Sequence, residues 1–377
     1  MKKKNLWIII LALFVGVDLI AMAFLLLSGP HARKTDAAEP TEPYDVFTEP
    51  FTIRIQYEDE TLASTSTADS PPIEQDDALT ISFVGDCMFA SNHGAFNGGS
   101  FNATARYASP DYFLNNFSEM FHADDLTIAN CECVLSDDDT LEEKEVTTEI
   151  AFWFKGPARH AEIFTAGGVD FAGVVNNHSH DFGQKGSDDT VAALKAAGLL
   201  VGERGKVTYT TIKGVKIGVH CCSLYSYDYI YDILDKLREM DREDCDLRIL
   251  YFHGGIENET QPEDWKVRAC RKLIEAGADI ICGAHPHVLQ PMEIYRNCPI
   301  VYSLGNFCFG GNTHPPKDTA VYQAVYALKD GKPIYRKDVF IPCQTYSGGQ
   351  NNYQPFIVTG AGKRQQILDF LYSPIEF

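Results

Sequence analysis

The sequence predicts an α/β architecture, two packed sheets flanked by helices, for the region that begins at Leu79. Three patterns lead there. Short apolar runs such as Ile81-Ser-Phe-Val-Gly-Asp86 and Leu247-Arg-Ile-Leu-Tyr-Phe-His253 have the length of strands. Capped amphipathic stretches alternate with them, and β-like pieces take over after Asn312. At 377 residues, 45% of them hydrophobic, the chain can bury one large core or two modest ones.

Taken in order, the chain opens with Met1-Lys-Lys-Lys4 and an apolar run from Leu6 to Leu27, broken only by Asp18. That run matches the roughly 20 residues needed to span a bilayer core. It exceeds the apolar core of a cleaved signal, about 7 to 15 residues. Residues 5–28 are therefore expected to form one uncleaved transmembrane signal anchor, with 1–4 a cytoplasmic stub. Cleavage near Ala37-Ala38 is the alternative. Three lysines before the run, against Arg33 and Lys34 after it, place the N-terminus inside by a small margin. The expected location is the cell membrane, single-pass, with the globular part extracellular. Residues 29–78 are rich in Pro, Thr, Ser, Glu and Asp and cannot bury enough apolar surface to offset chain entropy, so they read as a disordered acidic linker.

Within the globular part, Ser187 to Gly198 predicts a helix capped by Ser187 and stopped by Gly198. Pro262 to Gly277 predicts another, with Pro262 and two acids at its start and Val267, Cys270 and Ile274 on one stripe. Tyr209 to Cys222 reads as a hairpin turning at Lys213-Gly214, and Ile300 to Gly305 as a strand. Ala320–Leu328 and Ile334–Ile341 are expected to pair. One domain over 79–342 is predicted, with 343–377 a C-terminal extension packing on it.

Composition narrows the partners. A formal net charge of −20 and the lack of any basic cluster exclude nucleic acid. The acidic run Asp137 to Glu145 reads as a solvated loop. Eleven cysteines with no Cys-x-x-Cys pair read chiefly as small hydrophobes, a reading that leaves room for one or two disulfide bridges.

Chemistry-bearing residues recur just where strands end. Asp86, Asn130 with Glu132, Asn177 with His178, His253, and His285 with His287 each close an apolar run. Ligands in open α/β sheets bind beyond the carboxyl ends of strands, so five such endings point to one shared site. Asp, Glu, Asn and His together are ligand types suited to divalent cations. A buried polar network is the competing account.

The ordered segments Val84-Gly-Asp86, Ile128-Ala-Asn-Cys-Glu132, Asn176-Asn-His-Ser-His-Asp181, His253-Gly-Gly-Ile-Glu257, Gly283-Ala-His-Pro-His287 and Tyr302-Ser-Leu-Gly-Asn306 resemble the calcineurin-like metallophosphoesterases. More closely they resemble the CapA family of bacterial poly-γ-glutamate capsule proteins. The resemblance spans Leu79 to about Phe309. It implies a metallophosphoesterase-like two-sheet sandwich (α/β/β/α) and two divalent ions, Mn, Fe or Zn, which activate water. Asp86 and His287 would hold one ion, Asn177, His253 and His285 the other, with Glu132 bridging and Asn130 a further candidate ligand. His178 would serve as proton donor, oriented by Asp181, and Glu257, Gln290 and Asn306 are candidates for facing substrate. One departure stands out. The phosphoesterase pattern has Asp-x-His at the first strand, whereas Asp86-Cys-Met88 offers a poor ligand for a hard cation and puts occupancy of the first site in doubt.

The resemblance implies a role in capsule or cell-envelope polymer biosynthesis, acting on the polymer or its precursor. Two forms of that role fit the sequence. One is a metal-dependent hydrolase or transferase; the other is a non-catalytic subunit of a membrane synthase or export complex.

Overall fold

A computed structural model describes residues 78–93, 100–145 and 151–376. The expected anchor, nearly all of the linker and the alternating stretch Tyr44–Tyr57 lie outside the described residues. Among the described residues, no helix is long and apolar enough to cross a membrane.

Two large sheets dominate. The first has eight strands, with the strand Ala78–Met88 at its centre. On one side Leu126–Cys131, Phe171–Gly173 and Leu200–Gly202 follow it in parallel. On the other, Asp318–Lys329 and Lys332–Gln344 are antiparallel, and Asn306–Phe309 pairs with its C-terminal end. The second sheet has six strands. Val215–Ser223, Leu247–His253, Ile280–Ala284 and Cys298–Leu304 run parallel, edged by the antiparallel Thr208–Ile212 and Leu289–Tyr295.

The sheets pack face to face. Leu79, Ile81, Phe83, Ile128 and Phe171 of the first share a core with Ile217, Val219, Ile249, Tyr251 and Val301 of the second. The Tyr251 hydroxyl donates to the Val84 carbonyl oxygen at 2.7 Å, which ties the layers together near the site end. Helices cover the outer faces. Asp111–Ala123 lays Phe113, Leu114, Phe117 and Phe121 under the first sheet. Ile230–Arg242 and Asp264–Glu275 cover the second with Ile233, Leu237, Val267, Cys270 and Leu273.

Local chemistry explains the boundaries. Asp264 in the first turn, Lys272 in the last and Gly277 at φ 108° frame the helix after Pro262. The hairpin turns at Lys213 and Gly214, both with positive φ, as a tight two-residue turn requires. One expectation needs correction. The helix over Ser187 begins at Gly183, because the turn Asp181-Phe182-Gly183, with Gly183 at φ 64°, starts it four residues earlier. Ser187 therefore lies inside the helix and caps nothing.

The eleven cysteines are all free, and every one except Cys298 is buried. At the C-terminal end, Phe356–Ile357 adds a short edge to the first sheet, and the helix Ala361–Leu371 places Ile367 and Leu371 in the core between the sheets.

Candidate metal centre

Both sets of parallel strands end at the same place. Asp86 lies near the C-terminal end of the central strand of the first sheet, with Asn130 as its partner on the neighbouring strand. Gly85 makes the approach possible: a Cβ there would land on the Gly305 carbonyl oxygen, which instead accepts from the Asp86 N–H at 2.9 Å. His253 and Ala284 are partners in register at the ends of adjacent strands in the second sheet, so His285 leaves the sheet beside His253.

The side chains converge. His253 Nε2 lies 2.8 Å from Asn177 Oδ1, 3.0 Å from His285 Nδ1 and 3.4 Å from Glu132 Oε1. Asp86 Oδ2 accepts from the His285 N–H at 3.1 Å and lies 3.3 Å from His287 Nδ1. Glu132 belongs to two clusters, one with His253 and His285 and one with Asp86 and His287; in each, one ligand atom per residue lies within 4.8 Å of the others. Glu257, proposed to face substrate, forms a third such cluster with His285 and His287.

Glu132 is fully buried, and neither of its oxygens has a hydrogen-bond partner among the described residues. A carboxylate in that state is costly without a cation. The donor set fits one. Atoms spaced about 3 Å apart around a common point are what metal–ligand bonds of about 2.1 Å produce, and imidazole with carboxylate suits a borderline divalent ion.

The electrostatics agree. Burial holds His253 and His285 well below the ordinary histidine value, at about 3, so both are neutral with lone pairs available. Burial and the neighbouring Asp86 push Glu132 up to about 8. Burial works against charge on Asp86 as well, but the His287 hydrogen bond and the charges of His253 and His287 prevail and hold it at about 2. His287 responds in the opposite sense. Burial disfavours its charge, yet Glu132 and Asp86 carry it up to about 10. Two backbone positions add strain: His285 at φ 99° and His287 at φ 59° sit where non-glycine residues are uncommon.

Other expected site residues separate by role. His178 Nδ1 is 2.7 Å from Asp181 Oδ2, and Asp181 also accepts from the Phe154 N–H at 2.9 Å and from Lys144 Nζ at 2.6 Å. Asn130, considered as a ligand, has both ends of its amide engaged: it donates to Asp86 at 2.8 Å and accepts from Asn176 at 3.1 Å. It orients a ligand. Two residues expected to face substrate have side chains engaged within the protein. Gln290 is fully buried, accepting from Lys266 and donating to the Glu259 and Gln261 carbonyls, so its amide is spent on holding the loop that carries Glu257. Asn306 is buried with its Oδ1 2.9 Å from His287 Nδ1, where it fixes the imidazole. Met88 packs in the apolar core beneath the first sheet and offers no ligand atom to the centre.

Lys144 was not anticipated. Its signal was a single cation inside the acidic run, and it bridges Asp181 and the Asn177 carbonyl, at 3.0 Å from the latter. Beside it Glu143 lies 2.6 Å from His93 Nδ1, so the loop is held at two adjacent residues. A cleft of about 540 Å³ begins one residue past His287, lined by Val288, Leu289, Thr260, Lys317 and Lys363 among others.

Fold and site together define an α/β protein with a candidate metal centre at the converging strand ends of two packed sheets. Residues 80–311, more than half of the chain, match the family model described as bacterial capsule synthesis protein PGA_cap, and the chain belongs to that family. It is 27% identical over 280 residues to the capsule biosynthesis protein CapA of Bacillus anthracis, covering 68% of this chain and 65% of that protein, just under two thirds of its length. It is 26% identical over 285 residues to the PGA biosynthesis protein CapA of Bacillus subtilis (strain 168), covering 70% and 71%. The calcineurin-like phosphoesterase YfkN from Bacillus subtilis overlaps it with a TM-score of 0.42 at 14% identity, over 78% of this chain and 97% of that chain. That overlap is too slight to bear on activity.

Proposed function

We propose that this chain is a membrane-anchored, metal-dependent hydrolase or transferase of phosphoester type, acting outside the cell on an envelope polymer or its precursor during capsule biosynthesis. The observation that carries the reading is Glu132, a buried carboxylate with no hydrogen-bond partner among the described residues, clustered with His253, His285, His287 and Asp86. Asp86 and His287 would hold one ion, Asn177, His253 and His285 the other, and Glu132 both. Bound Mn, Fe or Zn would supply Lewis acidity toward a substrate oxygen and toward water. His178, held by Asp181 and through it by Lys144, would move a proton at Nε2. The apolar run Leu6–Leu27 supports the anchor, and the family supports the polymer context.

A second reading, a non-catalytic platform within a synthase or export complex, draws support from Met88, which leaves the Asp86 cluster one ligand short of the phosphoesterase pattern. Metal and turnover separate the two. The full chain, purified in detergent without a histidine tag, should carry about one to two equivalents of Mn, Fe or Zn, and Asp86→Ala should lower that content. It should hydrolyse an aryl phosphate ester slowly. His178→Ala should cut that rate by about 10² to 10⁴ while keeping the metal. A protein that loads metal yet turns over no ester with any of the three ions is the platform; a protein that loads none sinks both the enzyme and the metal centre.

A further inference from the structure

Tyr225 lies two residues past the strand Val215–Ser223 and belongs neither to the ligand set nor to the His178 relay. Its ring stands edge-on to His285 with centroids 5.1 Å apart, and to His253 at 6.4 Å. Tyr229 stands edge-on to it with centroids 6.1 Å apart. The hydroxyl is buried and has no hydrogen-bond partner among the described residues. A buried phenol left unpaired is a cost that a bound group completing the hydrogen bond would remove.

We propose that the Tyr225 hydroxyl donates a hydrogen bond to an oxygen of the tetrahedral phosphoryl group that the centre binds, over the imidazoles of His253 and His285. The inference rests on the metal-centre reading and adds a substrate contact to it. A bound cation would hold the oxygens of such a group that face it, and a neutral donor beside the imidazoles would stabilise a further oxygen without competing for the cation. The ring explains why the position suits an aromatic residue: it packs on two ligand imidazoles, so the hydroxyl is carried on a rigid stem.

Tyr225→Phe removes the oxygen and keeps the ring. With the full chain loaded with Mn, binding of inorganic phosphate measured by titration calorimetry should weaken about tenfold in the variant, with metal content and melting temperature unchanged. Equal affinity in the two proteins overturns the proposal, as does a wild-type protein that loads metal but binds no phosphate. Lower metal content in the variant would assign the hydroxyl to supporting Glu132 and likewise overturn it. If no ester is turned over by the wild type, the hydrolase reading fails alone, because phosphate affinity still decides the role of Tyr225.

Discussion

The two sheets bring unlike halves to the centre. The first supplies a carboxylate and amides, Asp86, Asn130 and Asn177, and the acid Glu132 just beyond a strand end. The second supplies imidazoles, His253, His285 and His287. The halves are also held differently. Asp86 and Asn130 are partners across neighbouring parallel strands, past a shift in register between Phe83 and Asp86, and they bond to one another at 2.8 Å, so ladder and side chains meet at the same pair. His285 and His287 stand past a strand end at positive φ, locked by Asp86 and Asn306 rather than by a ladder. One half is therefore placed by secondary structure and the other by strain that its neighbours hold in check.

The largest effect that would break this picture lies at Glu132, where the halves meet. Glu132→Gln should weaken metal binding by at least about 100-fold, since it removes the charge common to two clusters. In chelator the sign reverses. The buried carboxylate is then an unpaired group, and the variant should unfold at higher denaturant than wild type by about 1–3 kcal/mol. Denaturant melts with and without metal check both. If wild type is the more stable protein in chelator, Glu132 has protein partners in solution and the two halves are not joined by a cation.

Much of the centre was legible in the sequence. Asp86, Asn177, His253 and His285 each follow an apolar run, and period and termination place such residues at one end of a sheet. What resisted reading was distance without periodicity. Nothing local to Asn306 says that it meets His287, because the contact depends on the strand Asn306–Phe309 pairing with the end of the Asp86 strand. Gln290 was a candidate for facing substrate. Strand alternation and the Lys266 amine carried its amide to the other side, into a buried network. Lys144 was concealed by composition: an acidic run reads as solvated, and only the fold shows its lone cation reaching Asp181. The helix Ile230–Arg242 went unread although its buried Ile233, Leu237 and Met240 follow helical spacing.

Acid offers a second test, by loosening the scaffold of the first half. His160 is buried beneath the turn that leaves the Asp86 strand, with Nδ1 2.7 Å from the Phe89 carbonyl oxygen and Nε2 unpartnered among the described residues. Burial lowers its pKa from 6.5 to about 4. The unfolded chain therefore binds a proton that the folded chain refuses between those values, and stability falls as pH drops from 6.5 toward 4. Full development of that shift is worth about 3 kcal/mol. His160→Asn keeps a donor for Phe89 and has no titration there, so the stability difference between wild type and variant, measured by urea melts, should shrink or invert across that window. A difference that is constant with pH would mean that His160 is solvated, and the first half would be less firmly packed than its strands suggest.

The smallest effect is the most direct comparison of the halves, because it asks the backbone itself. At His285, φ 99° penalises any side chain, so in chelator His285→Gly should be more stable than His285→Ala by about 1 kcal/mol. At Asn130, inside the strand Leu126–Cys131 and free of positive φ, the order should reverse: glycine there adds freedom to the unfolded chain and releases no strain, so Asn130→Ala should exceed Asn130→Gly by about 0.5–1 kcal/mol. The four variants share one readout, the midpoint of a denaturant melt, and each pair differs by a single methyl group. Opposite signs at the two positions establish that strand geometry places one half and strain the other. Alanine ahead at both would mean that the His285 turn relaxes in solution, and that the imidazoles reach their positions only when a cation draws them together.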